Sequence, residues 1–181
     1  MSVVQLWLPI LISGAALFFA SFLSWMVVLL HFRDWSKCPA EGPLLDVVRN
    51  QSVPAGNYML PGALTPAEMN SSDFQQRSLA GPRGILTVFG PFNMGRNLTL
   101  TFLFYLGMSF CLGYLATLGL RPGDAFAKVF RFMATAGLIS FPAGMIPHAI
   151  WFEARIVGHL LESVVYALLL GLIFAGLWPA A

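Results

Sequence analysis

The sequence predicts an all-α membrane protein, four transmembrane helices with a folded loop insertion between helices 1 and 2, and three observations lead there. Four apolar runs are each long enough to cross a bilayer, charged residues are too scarce to coat a soluble globule, and tryptophans recur near the ends of the runs. Charged residues make up 10% of the chain and hydrophobic ones 57%, against about 25% charged in ordinary soluble domains. A hydrocarbon core of about 30 Å takes roughly 20 residues of helix to cross.

The first run, residues 3–30, carries no ionisable side chain and lacks the basic leader and small-residue cleavage site of a signal peptide, so it reads as a retained anchor. The second, residues 98–120, is free of charge and ends at Arg121-Pro122-Gly123-Asp124, a turn rather than a long connection. The third, residues 125–147, holds Lys128 and Arg131 in its first turns, where long stems let both cations reach the interface. The fourth, residues 160–178, is interrupted only by Glu162. Trp7 and Trp178 fall at one membrane surface and Trp35 and Trp151 at the other, as interfacial aromatic belts require; Trp25 falls slightly deeper.

Orientation follows the cations of the connections. Arg33, Lys37, Arg49, Arg77, Arg83, Arg96 and Arg155 lie on one side and Arg121, Lys128 and Arg131 on the other, which places the 31–97 loop in the cytoplasm and both termini outside. A net charge of +2, dispersed along the chain, excludes a nucleic-acid partner. The lipid bilayer is the first partner. Cys38 and Cys111 fall at different depths, which argues against a disulfide between them.

The 31–97 segment mixes apolar residues with turn signals, unlike a flexible linker, and predicts local structure. Leu44 to Arg49 reads as a short amphipathic helix after Pro43, and Ser71 or Ser72 caps a helical turn reaching Arg77. Tyr58–Leu60 against Ile85–Phe89 forms a two-stranded element. So small an element cannot bury all its apolar side chains, which makes Tyr58 and Phe89 candidates for docking a partner, most simply another membrane-protein subunit.

Pro54-Ala55-Gly56-Asn57-Tyr58-Met59-Leu60-Pro61, Gly84-Ile85-Leu86-Thr87-Val88, Asn93-Met94-Gly95 and the Trp178-Pro179 ending together carry a resemblance over nearly the whole length. The chain resembles a family of small, uncharacterised bacterial four-span membrane proteins. The resemblance implies the four-span architecture and a bacterial inner-membrane address; it brings no activity, cofactor or catalytic residue.

Three groups of residues within or beside the spans stand out. His31, His148, His159 and Glu162 fall at one membrane face, and imidazole with carboxylate suits a transition metal or a proton relay. The ordinary alternative is a hydrogen-bonded structural cluster. Glu162, inside a span, requires a partner, with Arg155, His148 and His159 as candidates, unless the headgroup layer keeps it wet. Pro142 removes a backbone donor and clashes with the preceding turn, which predicts a kink in span three. Ser13, Ala16, Ala20 and Ser24 line one face of span one, and Gly107, Gly113, Gly171 and Gly176 offer further close approaches between helices.

No nucleophile triad, phosphate loop or haem-attachment motif is present in the sequence, and no cofactor is predicted. The leading reading is a non-catalytic accessory or scaffold subunit of a larger inner-membrane complex. A metal- or proton-handling enzyme built on the His/Glu cluster, with a transition metal as its cofactor, is the alternative; a small transporter with a path past Pro142 and Glu162 is another.

Overall fold

The computed structural model describes residues 1–181, which divide into two compact units, Met1–Ser36 with Met94–Ala181, and Lys37–Asn93. The first unit contains four helices long and apolar enough to cross a membrane. A 3-10 turn, Val3–Leu6, leads into α1, Trp7–Met26; Ser2 and Gln5 cap it, Ser2 Oγ accepting the Val4 N–H and Gln5 Oε1 the Ser2 N–H. Span one therefore runs from Val3 to Met26. Leu29 then adopts a left-handed conformation (φ 54°), which costs a non-glycine residue roughly 1–2 kcal/mol, and a 3-10 turn over Leu30–Arg33 follows. Sequence hydropathy runs on to Leu30 because the turned residues are themselves apolar.

The smaller unit carries the loop elements. They are α2 (Glu41–Asn50), β1 (Gly56–Leu60), α3 (Pro66–Met69), α4 (Ser72–Ala80) and β2 (Gly84–Val88). The strands pair antiparallel with Tyr58 opposite Leu86 and Met59 opposite Ile85. Phe89 lies just past the strand expected to include it. Ser71 caps α4 by accepting the Phe74 N–H. The one helix not anticipated, α3, was signalled by Thr65-Pro66-Ala67-Glu68: Thr65 Oγ1 accepts the Glu68 N–H and Glu68 Oε2 accepts the Leu64 N–H at 2.7 Å.

Within the first unit, α5 (Met94–Gly119) is followed by the Arg121–Asp124 turn, where Gly123 takes φ +78° and a side chain would be strained. The C-terminal end closes on this turn. Gly123 donates its N–H to the Pro179 carbonyl, and Trp178 donates its indole N–H to that of Arg121, both at 2.9 Å. Asp124 accepts two hydrogen bonds from Lys128 Nζ and one from the Arg121 N–H. The Lys128 bond, then the backbone one, holds its carboxyl below the usual carboxylate range.

The third span, Phe126–Phe152, is built of two helices, α6 (Phe126–Ser140) and α7 (Met145–Phe152), with turns over 141–144 around buried Pro142. The missing N–H and the ring's clash with the preceding turn account for the break. The last helix, α8 (Val157–Gly176), packs against α6 and α1, and α1 packs against α5.

Two rows four residues apart give α8 its inward face: Gly158, Glu162, Tyr166, Leu170 and Phe174, and beside them Ser163, Ala167, Gly171 and Ala175. Leu6, Leu17, Leu112, Val129, Met133, Leu170 and Phe174 form the centre of the packing. Small residues let backbones approach: a Cβ on Gly14 would meet the Leu106 backbone at 3.0 Å, and one on Gly137 the Ala167 Cα at 3.1 Å. Gly113 and Gly171 also lie in close contacts, whereas Gly107 and Gly176 face open space. On α1, Ser13 and Ser24 are buried and Ala16 and Ala20 half-buried.

Large apolar side chains point out of this bundle, among them Phe19, Phe104, Leu118, Ile139 and Leu172. A water-soluble bundle would have polar residues there; hydrocarbon is the solvent these helices fit. The chain is an integral, multi-pass membrane protein.

Candidate functional site

The end of α1, the turn after it and the start of α8 bring the most unusual chemistry of the chain together. With Leu29 left-handed, the following 3-10 turn puts His31 inside, its side chain 2% exposed, and brings Asp34, 6% exposed, to its flank. His31 Nδ1 lies 3.2 Å from Asp34 Oδ2, and His31 Nε2 lies 3.2 Å from Glu162 Oε2 and 3.3 Å from Ser24 Oγ. His159 Nδ1 approaches the same Glu162 oxygen at 3.9 Å. One ligand atom from each of His31, His159 and Glu162 lies within 4.8 Å of the others.

Space for this cluster depends on Gly158. A Cβ there would sit 2.6 Å from Asp34 Oδ2 and 3.0 Å from His31 Nδ1. The Trp25 ring stacks on His31 at 4.1 Å between centroids, and the His31 and His159 rings lie 4.2 Å apart. An electron-poor imidazole, protonated or metal-bound, gains most from such an indole face.

Proton bookkeeping constrains the centre. A neutral imidazole has one N–H, yet both ring nitrogens of His31 face a carboxylate oxygen. One of those contacts sets lone pair against lone pair unless a further positive charge enters it. Glu162, 9% exposed at its side chain, also leaves Oε1 buried without a well-formed hydrogen bond, the Tyr166 hydroxyl one turn along the helix being a donor that faces it.

Glu162 and His159 border a cavity of about 670 Å³. Phe18, Phe104, Met108, Phe141 and Met145 give it apolar walls, while Ser21 and Tyr166 add hydroxyls. Tyr105 donates to the Tyr166 hydroxyl at 3.0 Å, so the two phenols form a buried pair at its edge.

Of the four residues expected to converge, His31, His159 and Glu162 do so and His148 does not. His148 is exposed on α7, a helix that buries no residue, with its ring 4.7 Å from that of Phe152. It lies outside the group that His31, His159 and Glu162 form. Arg155 likewise leaves Glu162 to other partners and donates to Ser36 Oγ. Asp34 was missed. Its three-residue spacing from His31 becomes a contact only because the chain makes a 3-10 turn there, and nothing in the hydropathy marks that turn.

In the smaller unit, Tyr58 is half-buried and donates its hydroxyl to the Pro54 carbonyl at 2.8 Å, whereas Phe89 is 84% exposed. Cys38 and Cys111 are both free thiols. Compared with protein-family models, with curated proteins and with solved structures, the chain matches none.

Proposed function

We propose that this multi-pass membrane protein is an accessory or scaffold subunit of a larger membrane assembly, anchored by its spans and docking through the 37–93 unit. One observation carries the reading: no residue from Lys37 to Asn93 is buried. A segment with two paired strands and three helices but no core of its own gains stability by covering its apolar side chains with something else.

Charge favours a protein as that cover. Lys37, Arg49, Arg77 and Arg83 balance Glu41, Asp46, Glu68 and Asp73, and three ion pairs, Lys37–Glu41, Arg49–Asp46 and Arg77–Asp73, form within the unit. A neutral, internally paired surface gains nothing from anionic headgroups, which attract clusters of unpaired cations. Met59 and Ile85, opposite each other and exposed, offer an apolar sheet face, and Phe89 extends the open apolar surface.

Replacing Ile85 and Phe89 by serine is expected to leave membrane insertion intact and to reduce recovery of co-purifying subunits about tenfold or more, as loss of an aromatic anchor does. Undiminished recovery, or wild-type protein that purifies alone in mild detergent, would count against docking through this unit.

The reading extends to address and orientation: a bacterial inner membrane, the 37–93 unit in the cytoplasm and both termini periplasmic. The seven-to-three distribution of cations supports it. In intact spheroplasts a membrane-impermeant thiol reagent should then miss the exposed Cys38 and label an Ala181→Cys variant. The reverse pattern would invert the protein.

A further inference from the structure

We propose that His31, His159 and Glu162 bind a divalent first-row transition metal of the zinc and iron(II) class, with Asp34 orienting His31 from behind and a coordination position left open towards the adjoining cavity. The inference does not depend on the docking role of the 37–93 unit.

The donor set is the first argument. Two imidazoles and one carboxylate suit these ions, and three protein ligands with an open position are the pattern of reactive rather than purely structural sites. Spacing is the second. Bonds of about 2.0–2.1 Å in a tetrahedral site put neighbouring ligand atoms about 3.3 Å apart, and His31 Nε2 and Glu162 Oε2 are 3.2 Å apart. His159 Nδ1, at 3.9 Å from that oxygen, closes to such a distance by a small side-chain shift.

Asp34 supplies the third argument. By accepting the Nδ1–H of His31 it turns the Nε2 lone pair towards Glu162 and His159, the carboxylate–histidine arrangement that commonly backs a metal ligand. Finally, the buried Oε1 of Glu162 has no well-formed hydrogen bond, and Glu162 borders the cavity. A single shared proton between His31 and Glu162 would satisfy that pair but leave His159 without a role; a metal uses His159 as well. The aromatic and methionine walls suit a lipid-soluble ligand at the open position.

The test uses the full chain, purified in mild detergent with a tag free of histidine. Elemental analysis should find about one zinc or iron per chain. After chelation, cobalt(II) titration should produce visible ligand-field bands in wild type and in His148→Ala, and lose them in Glu162→Gln and His159→Ala. Near-UV circular dichroism checks that each variant remains folded; Glu162→Gln keeps the shape of the side chain it replaces. Folded wild-type protein with background metal content and no cobalt bands would overturn the proposal and leave a proton-linked ion pair. Equal bands in wild type and both ligand variants would overturn it too, since cobalt would then sit elsewhere.

Discussion

Gly158→Ala should lower the thermal stability of the detergent-solubilised protein by about 1–3 kcal/mol, the usual cost of forcing an extra carbon into a filled space. Helix propensity alone predicts the opposite, because alanine exceeds glycine by roughly 0.5–1 kcal/mol inside a helix. The local contacts decide the sign: the added Cβ would meet Asp34 Oδ2 at 2.6 Å, His31 Nδ1 at 3.0 Å and the Leu30 carbonyl at 3.1 Å. Two of those three atoms belong to the polar centre, so pushing them away also breaks the His31–Asp34 contact. Gly176→Ala, near the other end of the same helix with nothing within 4 Å of its Cβ, is the control and should be neutral or slightly stabilising. A stable Gly158→Ala variant would show that the turn after α1 does not rest on α8.

The second large effect belongs to His31. His31→Leu removes the one group that faces both carboxylates and leaves Asp34 and Glu162 buried without it, a loss of about 3–5 kcal/mol by analogy with broken buried ion pairs. Changing Glu162 to leucine as well removes one stranded charge, so the double variant is expected to recover a large part of that loss. A full double-mutant cycle, read by thermal unfolding of chelated protein, should return an interaction energy towards the upper end of about 0.5–3 kcal/mol. Additive effects would mean that the 3.2 Å contact between His31 and Glu162 contributes no energy of its own.

Both predictions concern the region where sequence reading reached its limit. His31, His159 and Glu162 were legible as a group because hydropathy sets the order and depth of the spans, and depth alone put them at one face. His148 met the same criterion and lies elsewhere. Its position depends on the break at Pro142 and on the direction α7 takes afterwards, and neither follows from where a span begins or ends. Asp34 failed to stand out for the converse reason: in the sequence it is one more loop acid. A left-handed Leu29 and a 3-10 turn make it the partner of a buried histidine. Glu162 carried a better signal than its hydropathy. It lies on the four-residue row of Gly158, Tyr166, Leu170 and Phe174, a spacing that points it inwards with them.

The smaller unit shows the same division. Turn residues bounding short apolar runs sufficed to place its two strands, although residues 61–83, with α3 and α4, lie between them. They did not distinguish Tyr58, whose hydroxyl is tied to Pro54, from exposed Phe89. By itself the sequence determined that the chain has four helices long and apolar enough to cross a bilayer and that a structured segment lies between the first two, since transfer into hydrocarbon is a sum over consecutive residues. The tertiary structure decided which polar groups meet inside the bundle. Those contacts depend on helix rotation, close approach at glycines and the left-handed turn after α1, and none of these is a sum over neighbours in the chain.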